Sequence, residues 1–169
     1  YADEEGYDSE VMAEATANAA QNSLNDQLHD AVAMGNVAAL RAALAAGADV
    51  DARRTDSYGR VTRTPLGSAV EPDNEVSEDN RTACVRALLL AGASPSAPIT
   101  SRGSRWMALH EAAYLGLYTV CRLLLDAGAD VNVQSVDDCF NDTPLHCAAV
   151  PESHRNQKVI ALLLSRGAV

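Results

Sequence analysis

Three of the four histidines follow a leucine at the same place in a recurring phrase, and histidine is well suited to metal or proton chemistry. They are His29, His110 and His146. A metal site would need such ligands within a few ångströms of one another, together with cysteine or carboxylate ligands. Equivalent residues of successive sequence copies lie about one structural repeat apart instead. We therefore predict that each histidine bonds to backbone in a turn and bridges neighbouring copies, and that no metal is bound.

The four cysteines are the other candidates for chemistry. Cys84, Cys121, Cys139 and Cys147 lack the C-x-x-C spacing of metal and redox sites, which favours free thiols in a reducing compartment. Cys84 and Cys121 fall at apolar helical positions and are predicted to be small core residues. Cys139 lies beside two aspartates, whose charges should raise its thiol pKa and oppose nucleophilic chemistry. Because the sequence also lacks a Ser-His-Asp order and a Gly-rich phosphate loop, we predict no catalytic activity and no cofactor.

Two phrases recur in the same order four times along the chain. One is an apolar stretch that runs into a Gly-Ala stop: LAAGADVDA, LLAGASPSA, LLDAGADVNV and LLSRGAV. The other, upstream of each stop, reads LHDAVAMGN, TPLGSAV, ALHEAAYLG or TPLHCAAV. This repetition predicts a stacked array of one supersecondary unit, whose core lies between copies. The stop glycines are predicted to take the left-handed conformation that ends a helix; they are Gly47, Gly92, Gly128 and Gly167.

Each copy predicts two helices joined by a loop. The first helix opens at the Leu-His or Thr-Pro phrase, where proline suits the first turn. The second carries apolar residues at helical spacing, such as Leu40 and Leu44. The stop glycines are separated by 45, 36 and 39 residues, so extra residues sit in loops between or within the copies. Loops tolerate such insertions at a small entropic cost, and stacking need not suffer.

The charge is unevenly distributed. The net charge is −10, of which −7 falls in residues 1–26, so residues 27–169 carry only −3. Neither part has the basic excess expected for general nucleic-acid binding. The sequence contains no run of about 18 apolar residues, which argues against membrane insertion. Residues 9–20 form either a helix capped by Ser9 or part of a disordered acidic leader, and the sequence leaves both open.

From about Gln27 to Val169 the chain resembles ankyrin-repeat proteins. The copy most similar to that family's pattern is ALHEAAYLGLYTVCRLLLDAGADVNV, and TPLH followed by Ala148 and Ala149 supplies the family's turn and first helix in copy four. Copy two departs from the pattern with Gly67 in place of histidine. The resemblance implies an all-α ankyrin-repeat solenoid of stacked helix-loop-helix units with projecting loops or hairpins. It also implies a concave groove that binds protein, and no catalytic activity.

The predicted organisation has two parts. Residues 1–26 are an acidic leader that could serve as a capping helix. Residues 27–169 are the array, with copies at 27–53, 54–98, 99–134 and 135–169. We expect a protein that is monomeric in isolation and intracellular, most simply cytoplasmic, because its cysteines read as reduced and the sequence shows no signal or transmembrane segment.

Aromatic and charged residues in the predicted loops and at the first-helix ends are the candidates for partner binding. Tryptophan, tyrosine and arginine dominate protein interfaces more often than other residues, and adjoining basic and acidic loops suit a specific protein partner. Aligned with the family pattern, several of them face the groove. The full predicted set is Tyr58, Arg60, Arg63, Arg105, Trp106, Tyr114, Leu115, Phe140 and Asp142. An alternative for Trp106 is packing within its own repeat.

These observations predict an adaptor or scaffold that recognises a protein partner through its groove. Two alternatives stay open at the level of sequence. The chain could be a structural subunit of a larger assembly, with its insertions and acidic leader holding neighbouring subunits. It could instead be the regulatory or targeting segment of a longer enzyme or effector.

Overall fold

A computed structural model describes residues 4–54, 63–71, 76–96, 98–99, 106–135, 141–150 and 156–169, with residues 4–10 described as backbone only. The helices of this part of the chain are α1 (Glu4–Ala33), α2 (Val37–Ala45), α3 (Pro65–Val70), α4 (Glu78–Leu90), α5 (Ala108–Tyr114), α6 (Tyr118–Asp126), α7 (Pro144–Ala148) and α8 (Asn156–Ser165). Within those described ranges there is no strand, and a single bridge joins Pro98 to Met107. The predicted all-α class is confirmed.

The helices stack as two layers of four. Each odd-numbered helix contacts the even-numbered helix that follows it, which defines repeats one (α1/α2), two (α3/α4), three (α5/α6) and four (α7/α8). First helices contact the first helices of neighbouring repeats, and second helices do the same in their own layer. A one-dimensional stack of this kind follows from copying one amphipathic unit that can bury its apolar faces only against its neighbours.

Polar side chains begin the helices where the sequence changes from loop to apolar pattern. Thr64 accepts a hydrogen bond from the Gly67 N–H at 3.2 Å, and Ser77 accepts one from the Asn80 N–H at 3.3 Å. Asn36 caps α2 in the same way, through the Ala39 N–H at 3.0 Å. These bonds satisfy donors that a helix N-terminus leaves without intrahelical partners.

The second helices end in one repeated geometry. Gly47, Gly92, Gly128 and Gly167 have φ between 91° and 98°. In repeat one the Ala48 N–H donates to the Ala43 carbonyl and the Gly47 N–H donates to the Leu44 carbonyl, and the other three stops repeat both bonds. This is the Schellman arrangement, in which a left-handed residue allows the chain to satisfy the last helical carbonyls.

The core is a continuous apolar cluster between the two layers. Its largest fully buried side chains are leucines from both layers: Leu28, Leu40, Leu66, Leu88, Leu109, Leu124 and Leu163. Buried alanines occupy equivalent positions of the first helices, at Ala31, Ala69, Ala112 and Ala148. Small side chains there let successive first helices approach closely, which explains an apolar content of 47% with only 4% aromatics.

Helix α1 is longer than the sequence indicates. The sequence places a possible helix start at Ser9, but the observed helix starts at Glu4 and continues without a break into repeat one. Over 30 residues it spans about 45 Å at a rise of about 1.5 Å per residue. Residues 11–23 are exposed, whereas Leu28, His29, Ala31 and Val32 are buried against the array. The acidic leader is therefore a helical extension of the first repeat.

Candidate protein-binding surface

His110 joins repeat three to the segment that leads into repeat four. Its Nδ1 accepts from the Met107 N–H at 3.1 Å, which leaves the proton on Nε2. Nε2 lies 3.1 Å from the Val133 carbonyl and 3.0 Å from the Asp142 carbonyl, so its single N–H is shared between them. The ring is fully buried, and this desolvation lowers the His110 pKa below its ordinary value of 6.5.

The other repeats show variations on this arrangement. His29 is buried and its Nε2 lies 2.9 Å from the Ala52 carbonyl; burial lowers its pKa as well. In repeat four the Thr143 N–H donates to Nδ1 of His146 at 3.2 Å, but this ring is exposed. Repeat two has Gly67 instead, and a Cβ on Gly67 would lie 2.9 Å from the Ile99 Cβ. Ile99 therefore fills the space that a larger side chain occupies in the other repeats.

The surface formed by the exposed parts of the first helices and the residues just before them is called here the first-helix surface. Arg63, Trp106 and Asp142 precede α3, α5 and α7 at equivalent positions, one residue before the N-cap. Glu71, Tyr114 and Val150 occupy the matching position at the other end of each first helix. The structure thus arranges two rows of side chains across repeats two, three and four: the first consists of predicted residues, whereas Glu71 in the second was not predicted.

Two arginines on or beside the first-helix surface form ion pairs within the described part of the chain. Arg54 bonds Asp26 at 2.8 Å and Asp30 at 2.9 Å, and hydrogen bonding to Asp26 is the main cause of its raised pKa. Arg63 pairs with Glu71 across the length of α3. Such exposed pairs add little stability, about 0–1 kcal/mol each. These pairs tie Arg54 and Arg63 to carboxylates of the chain itself.

Trp106 is held by two contacts inside its own repeat. Its indole N–H donates to a Glu111 carboxylate oxygen at 2.8 Å, and its ring stacks on His110 with centroids 5.1 Å apart and planes inclined by 29°. The side chain is half-buried against the core. Trp106 therefore packs partly within its own repeat, as the alternative interpretation of the sequence predicted. The part of its side chain that stays exposed belongs to the first-helix surface.

Three apolar side chains stand out from the first-helix surface. Met34, Tyr114 and Val150 are exposed at the ends of α1, α5 and α7. Tyr114 is 50% exposed, and no polar contact ties down its side chain among the described residues. Leu115, also a predicted binding residue, ends α5 and is half-buried against the core, so only part of it can contact a partner.

A row of side chains connects the projecting segments that follow the second helices. Asn132 donates to the Gly167 carbonyl and accepts from the Val169 N–H, both at 3.0 Å. Gln21 and Asn25 of α1 make the same two bonds in repeat one, to the Gly47 carbonyl and the Asp49 N–H, at 2.9 Å each. Gln21 and Asn25 thus hold the segment that follows α2 in repeat one, as Asn132 of repeat three holds the segment that follows α8 in repeat four.

The cysteines described by the structure do not form a reactive site. Cys84, Cys121 and Cys147 are buried free thiols in the apolar layers. Burial raises the pKa of Cys121 to about 12, and burial together with the charge of Asp142 raises that of Cys147 to about 12. At neutral pH these groups are thiols, which are poor nucleophiles and poor metal ligands.

Four predicted binding residues lie outside the described residues: Tyr58, Arg60, Arg105 and Phe140. Cys139 lies outside them too. Of the predicted set, the structure brings together Arg63, Trp106, Tyr114, Leu115 and Asp142. Across the ranges that the structure covers, no three histidine, cysteine or acidic side chains converge as metal ligands. In the same ranges no helix is both long and apolar enough to cross a membrane.

The internal partners on the first-helix surface were not identified from the sequence. Glu111 and Glu71 were not predicted to matter. Each contacts the residue just before the N-cap of the first helix in its own repeat, Glu111 contacting Trp106 and Glu71 contacting Arg63. Gln21 and Asn25 were missed because the leader was treated as separate from the array. The sequence did contain a signal for them. The two residues are four apart, so they share one helix face, and they come just before a repeat that has no preceding hairpin.

Comparison with known proteins agrees with this geometry. A family model described as ankyrin repeats, in three copies, matches residues 28–135 and 74–169. The chain therefore belongs to the ankyrin-repeat family. It is 38% identical over 136 residues to mouse B-cell lymphoma 3 protein homolog, covering 80% of this chain and 25% of that protein.

More distant relatives carry similar arrays in other contexts. The chain is 30% identical over 143 residues to the Arabidopsis thaliana E3 ubiquitin-protein ligase KEG, covering 83% of this chain and 8% of that protein. It is 32% identical over 111 residues to bovine ankyrin repeat and SOCS box protein 3, covering 66% of this chain and 18% of that protein. The chain thus spans a quarter or less of the length of these relatives.

Proposed function

We propose that this chain is a non-catalytic recognition module that binds a protein partner through the first-helix surface. The observation that carries the proposal is the exposed side chain of Tyr114, which shares the first-helix surface with the Arg63–Glu71 ion pair and the Trp106–Glu111 hydrogen bond. A partner that covers this surface can bury apolar area without leaving the paired charges unmatched, which keeps the desolvation cost low.

Trp106 and Tyr114 are the proposed centre of the interface. Trp106 is pre-oriented by Glu111 and His110, so little conformational entropy would be lost when a partner covers its exposed edge. Tyr114 presents a large amphipathic ring from the other end of the same helix. Arg63 and Asp142 flank this centre at equivalent positions in the neighbouring repeats and are proposed to set the orientation of the partner.

A matched pair of tyrosines tests the location of the interface. The chain, immobilised through its C-terminus, is used to capture proteins from the native cell extract, and the affinity of each captured protein is then measured by titration. Tyr114→Ala should weaken binding by about 30-fold, equivalent to about 2 kcal/mol for a buried aromatic anchor. Tyr118→Ala is the control, because Tyr118 is 39% exposed on α6 in the other layer.

Two results would count against this location. If Tyr118→Ala weakens binding while Tyr114→Ala leaves it within about twofold, the partner occupies the second-helix layer instead. If neither changes affinity, binding lies in the loops or the leader helix. Trp106→Ala is a less clear test, because it also removes the ring stacked on buried His110 and can weaken repeat three itself.

A second candidate role is favoured by the comparisons. Because matching arrays form a quarter or less of the relatives, we also propose that this array serves as the targeting part of a longer protein, one relative of that kind being named an E3 ubiquitin-protein ligase. In that case the captured partner would be a target or regulator of the longer protein. Measuring whether the captured protein binds the array alone as tightly as the full-length gene product distinguishes a self-sufficient module from one that needs further domains.

The proposed setting is the inside of a cell, with the isolated chain monomeric. Three buried free cysteines suit a reducing compartment, where thiols are not driven into disulfides. Fractionation of native cells with an antibody to this chain, and sedimentation of the purified protein, measure the two properties directly.

A further inference from the structure

The outer side of the second-helix layer carries an arginine at the same position in three repeats. Arg41, Arg86 and Arg122 each lie six residues before the stop glycine of their own repeat. All three are exposed, and neighbouring second helices pack side by side. These side chains therefore form a row across α2, α4 and α6, called here the basic row. Repeat four has Ala161 at this position and carries Lys158 one turn earlier.

The charges of the basic row are not neutralised within the described part of the chain. Arg54, Arg63 and Arg166 pair with carboxylates of the chain, whereas the three arginines of the row make no ion pair or side-chain hydrogen bond in the ranges that the structure covers. Asp126, one turn after Arg122, is held by Arg166 at 2.7 Å. Because packed helices lie about 8–10 Å apart, the row repeats like charges at that spacing and adds no attraction to the fold. Its charges and N–H donors are available to a ligand.

Acidic side chains border the basic row. Glu78 and Asp79 lie at the start of α4, and Asp126 lies at the end of α6. The whole chain has a net charge of −10. A membrane surface or a nucleic-acid duplex would bring its own negative charges against these acids. A narrow acidic segment that follows the row avoids them, so charge complementarity favours a segment of a protein.

An exposed leucine lies beside the middle of the basic row. Leu90 is 81% exposed and comes one turn after Arg86 on α4. Residues four apart lie on the same side of a helix, so the two side chains face solvent together. A ligand that covers both needs an apolar side chain next to its carboxylate. That combination is typical of an amphipathic acidic helix.

The spacing of the basic row also favours a helical ligand. On an α-helix, residues seven apart lie on nearly the same face and are separated by about 10 Å, close to the distance of about 8–10 Å between packed helices. Residues on one face of a β-strand recur about every 7 Å and fall out of step with the row. Carboxylates seven residues apart on a helix can therefore each reach one arginine.

The acidic leader of this chain lacks that pattern. Seven residues after Glu10 and Glu14 come Ala17 and Gln21, which are uncharged. The leader helix is also held beside repeat one by the bonds of Gln21 and Asn25 to the segment that follows α2. The ligand that fits the basic row is therefore a segment of another protein.

We propose that the basic row is a second protein-binding surface, which binds an acidic amphipathic helix with carboxylates seven residues apart. Each carboxylate pairs with one arginine of the row, and an apolar side chain of the ligand covers Leu90. The site lies in the second-helix layer, and it is independent of the binding proposed for the first-helix surface.

Two synthetic peptides of equal composition test the proposal on the whole chain. The matched peptide has about 21 residues, mainly alanine and glutamine, with three glutamates seven residues apart and a leucine four residues after each. The scrambled peptide has its glutamates five residues apart, which distributes them around the helix. By fluorescence anisotropy in about 50 mM NaCl, the matched peptide should bind at least about fivefold more tightly. Raising NaCl to about 300 mM should weaken its binding by at least about fivefold, because salt screens the attraction.

Variants of the chain locate the site. Arg86→Gln removes the central charge and should weaken binding of the matched peptide by at least about fivefold, and Leu90→Ala should weaken it by about threefold. Arg53→Gln is the charge-matched control, because Arg53 is exposed in the segment after α2 and lies off the basic row. Tyr114→Ala should leave peptide binding unchanged, which separates this site from the first-helix surface. Circular dichroism shows whether each variant remains folded.

Several results would overturn the proposal. The first is no binding of the matched peptide at concentrations up to about 1 mM. The second is equal binding of the two peptides, or equal weakening by Arg86→Gln and Arg53→Gln, since either would mean diffuse attraction between opposite charges.

The remaining contrary results would assign the basic row to another ligand. Tighter binding of an oligodeoxythymidine of about 21 nucleotides, or of phosphatidylserine vesicles, lost in Arg86→Gln, would make it a nucleic-acid or membrane site. A dimer found by sedimentation in about 50 mM NaCl, and dissociated by Arg86→Gln, would make a second copy of this chain the occupant.

Discussion

Nε2 of His110, in the third repeat, lies 3.0 Å from the backbone carbonyl oxygen of Asp142, which comes just before the first helix of the fourth repeat. The bond couples two repeats at the point where the chain turns into the first-helix surface. Because Asp142 is itself a proposed contact residue, the side chain that stabilises the stack also fixes the position of part of the proposed binding surface.

Removing that bond should therefore be costly. His110→Ala deletes a fully buried ring and leaves the Val133 and Asp142 carbonyls without their donor, for an expected loss of about 2–4 kcal/mol in unfolding free energy. His146→Ala removes an exposed ring that supports only its own helix start and should cost less than about 1 kcal/mol. Urea unfolding followed by circular dichroism measures both, and equal losses would contradict the bridging role of His110.

Stability should fall as the solution becomes acidic. Burial lowers the pKa of His29 and His110 in the folded state below the ordinary value of 6.5, so the unfolded chain binds protons more readily. Their contribution is present above pH 6.5 and is lost as the pH falls toward the folded-state pKa values. Measuring the free energy of unfolding in urea at about pH 7.5 and pH 5.5 gives the slope of stability against pH. His110→Gln, less stable at the higher pH, should show a shallower decline; an unchanged slope would mean that His110 does not contribute.

Two glycines should resist substitution for different reasons. Gly128 has φ of 94°, and a Cβ added to it would meet nothing within 4 Å, so Gly128→Ala should cost about 1 kcal/mol through the backbone alone. Asparagine tolerates that conformation, and Gly128→Asn should cost less. Gly67→Ala should cost about 1–3 kcal/mol by crowding Ile99, and Gly67→Asn at least as much. Thermal unfolding of the four variants checks this, and rescue of position 67 by asparagine would contradict it.

The buried thiols should react slowly in the native protein. With pKa values near 12, Cys121 and Cys147 hold very little thiolate at pH 8, and both are shielded from solvent. Alkylation of these two residues, located by mass spectrometry, should be at least about 100-fold slower than in urea-unfolded chain. Equal rates in the folded and unfolded protein would show that the two layers open freely around them.

Much of the fold could be predicted because the repeats encode it locally. Gly47 and Gly128 end helices through a backbone conformation that glycine favours, and Pro65 and Pro144 start helices where a missing N–H costs nothing. These signals depend on single residues. The uninterrupted α1 was not predicted, because the continuity of a helix depends on contacts such as that of Asn25 with Asp49, which are distant in sequence.

The candidate surface could be predicted only in part. Aligning the repeats placed Trp106, Tyr114 and Arg63 on one surface, since equivalent residues of stacked copies form rows. The alignment gave no information on which side chains each residue contacts. The bond from Trp106 to Glu111 and the pair of Arg63 with Glu71 depend on side-chain rotamers across a folded helix, and these determine how much of each residue is available to a partner.

Hydroxyl-radical footprinting of the captured complex tests the central claim most directly, because it reads Tyr114 and Tyr118, which are both exposed, in the same unmodified chain. Tyr114 lies on the first-helix surface and Tyr118 on the second-helix layer, four residues away. We expect the partner to slow oxidation of Tyr114 by about fivefold or more, as burial in an interface core would, and to leave that of Tyr118 unchanged. Protection of Tyr118 with Tyr114 still fully reactive would contradict recognition through the first-helix surface.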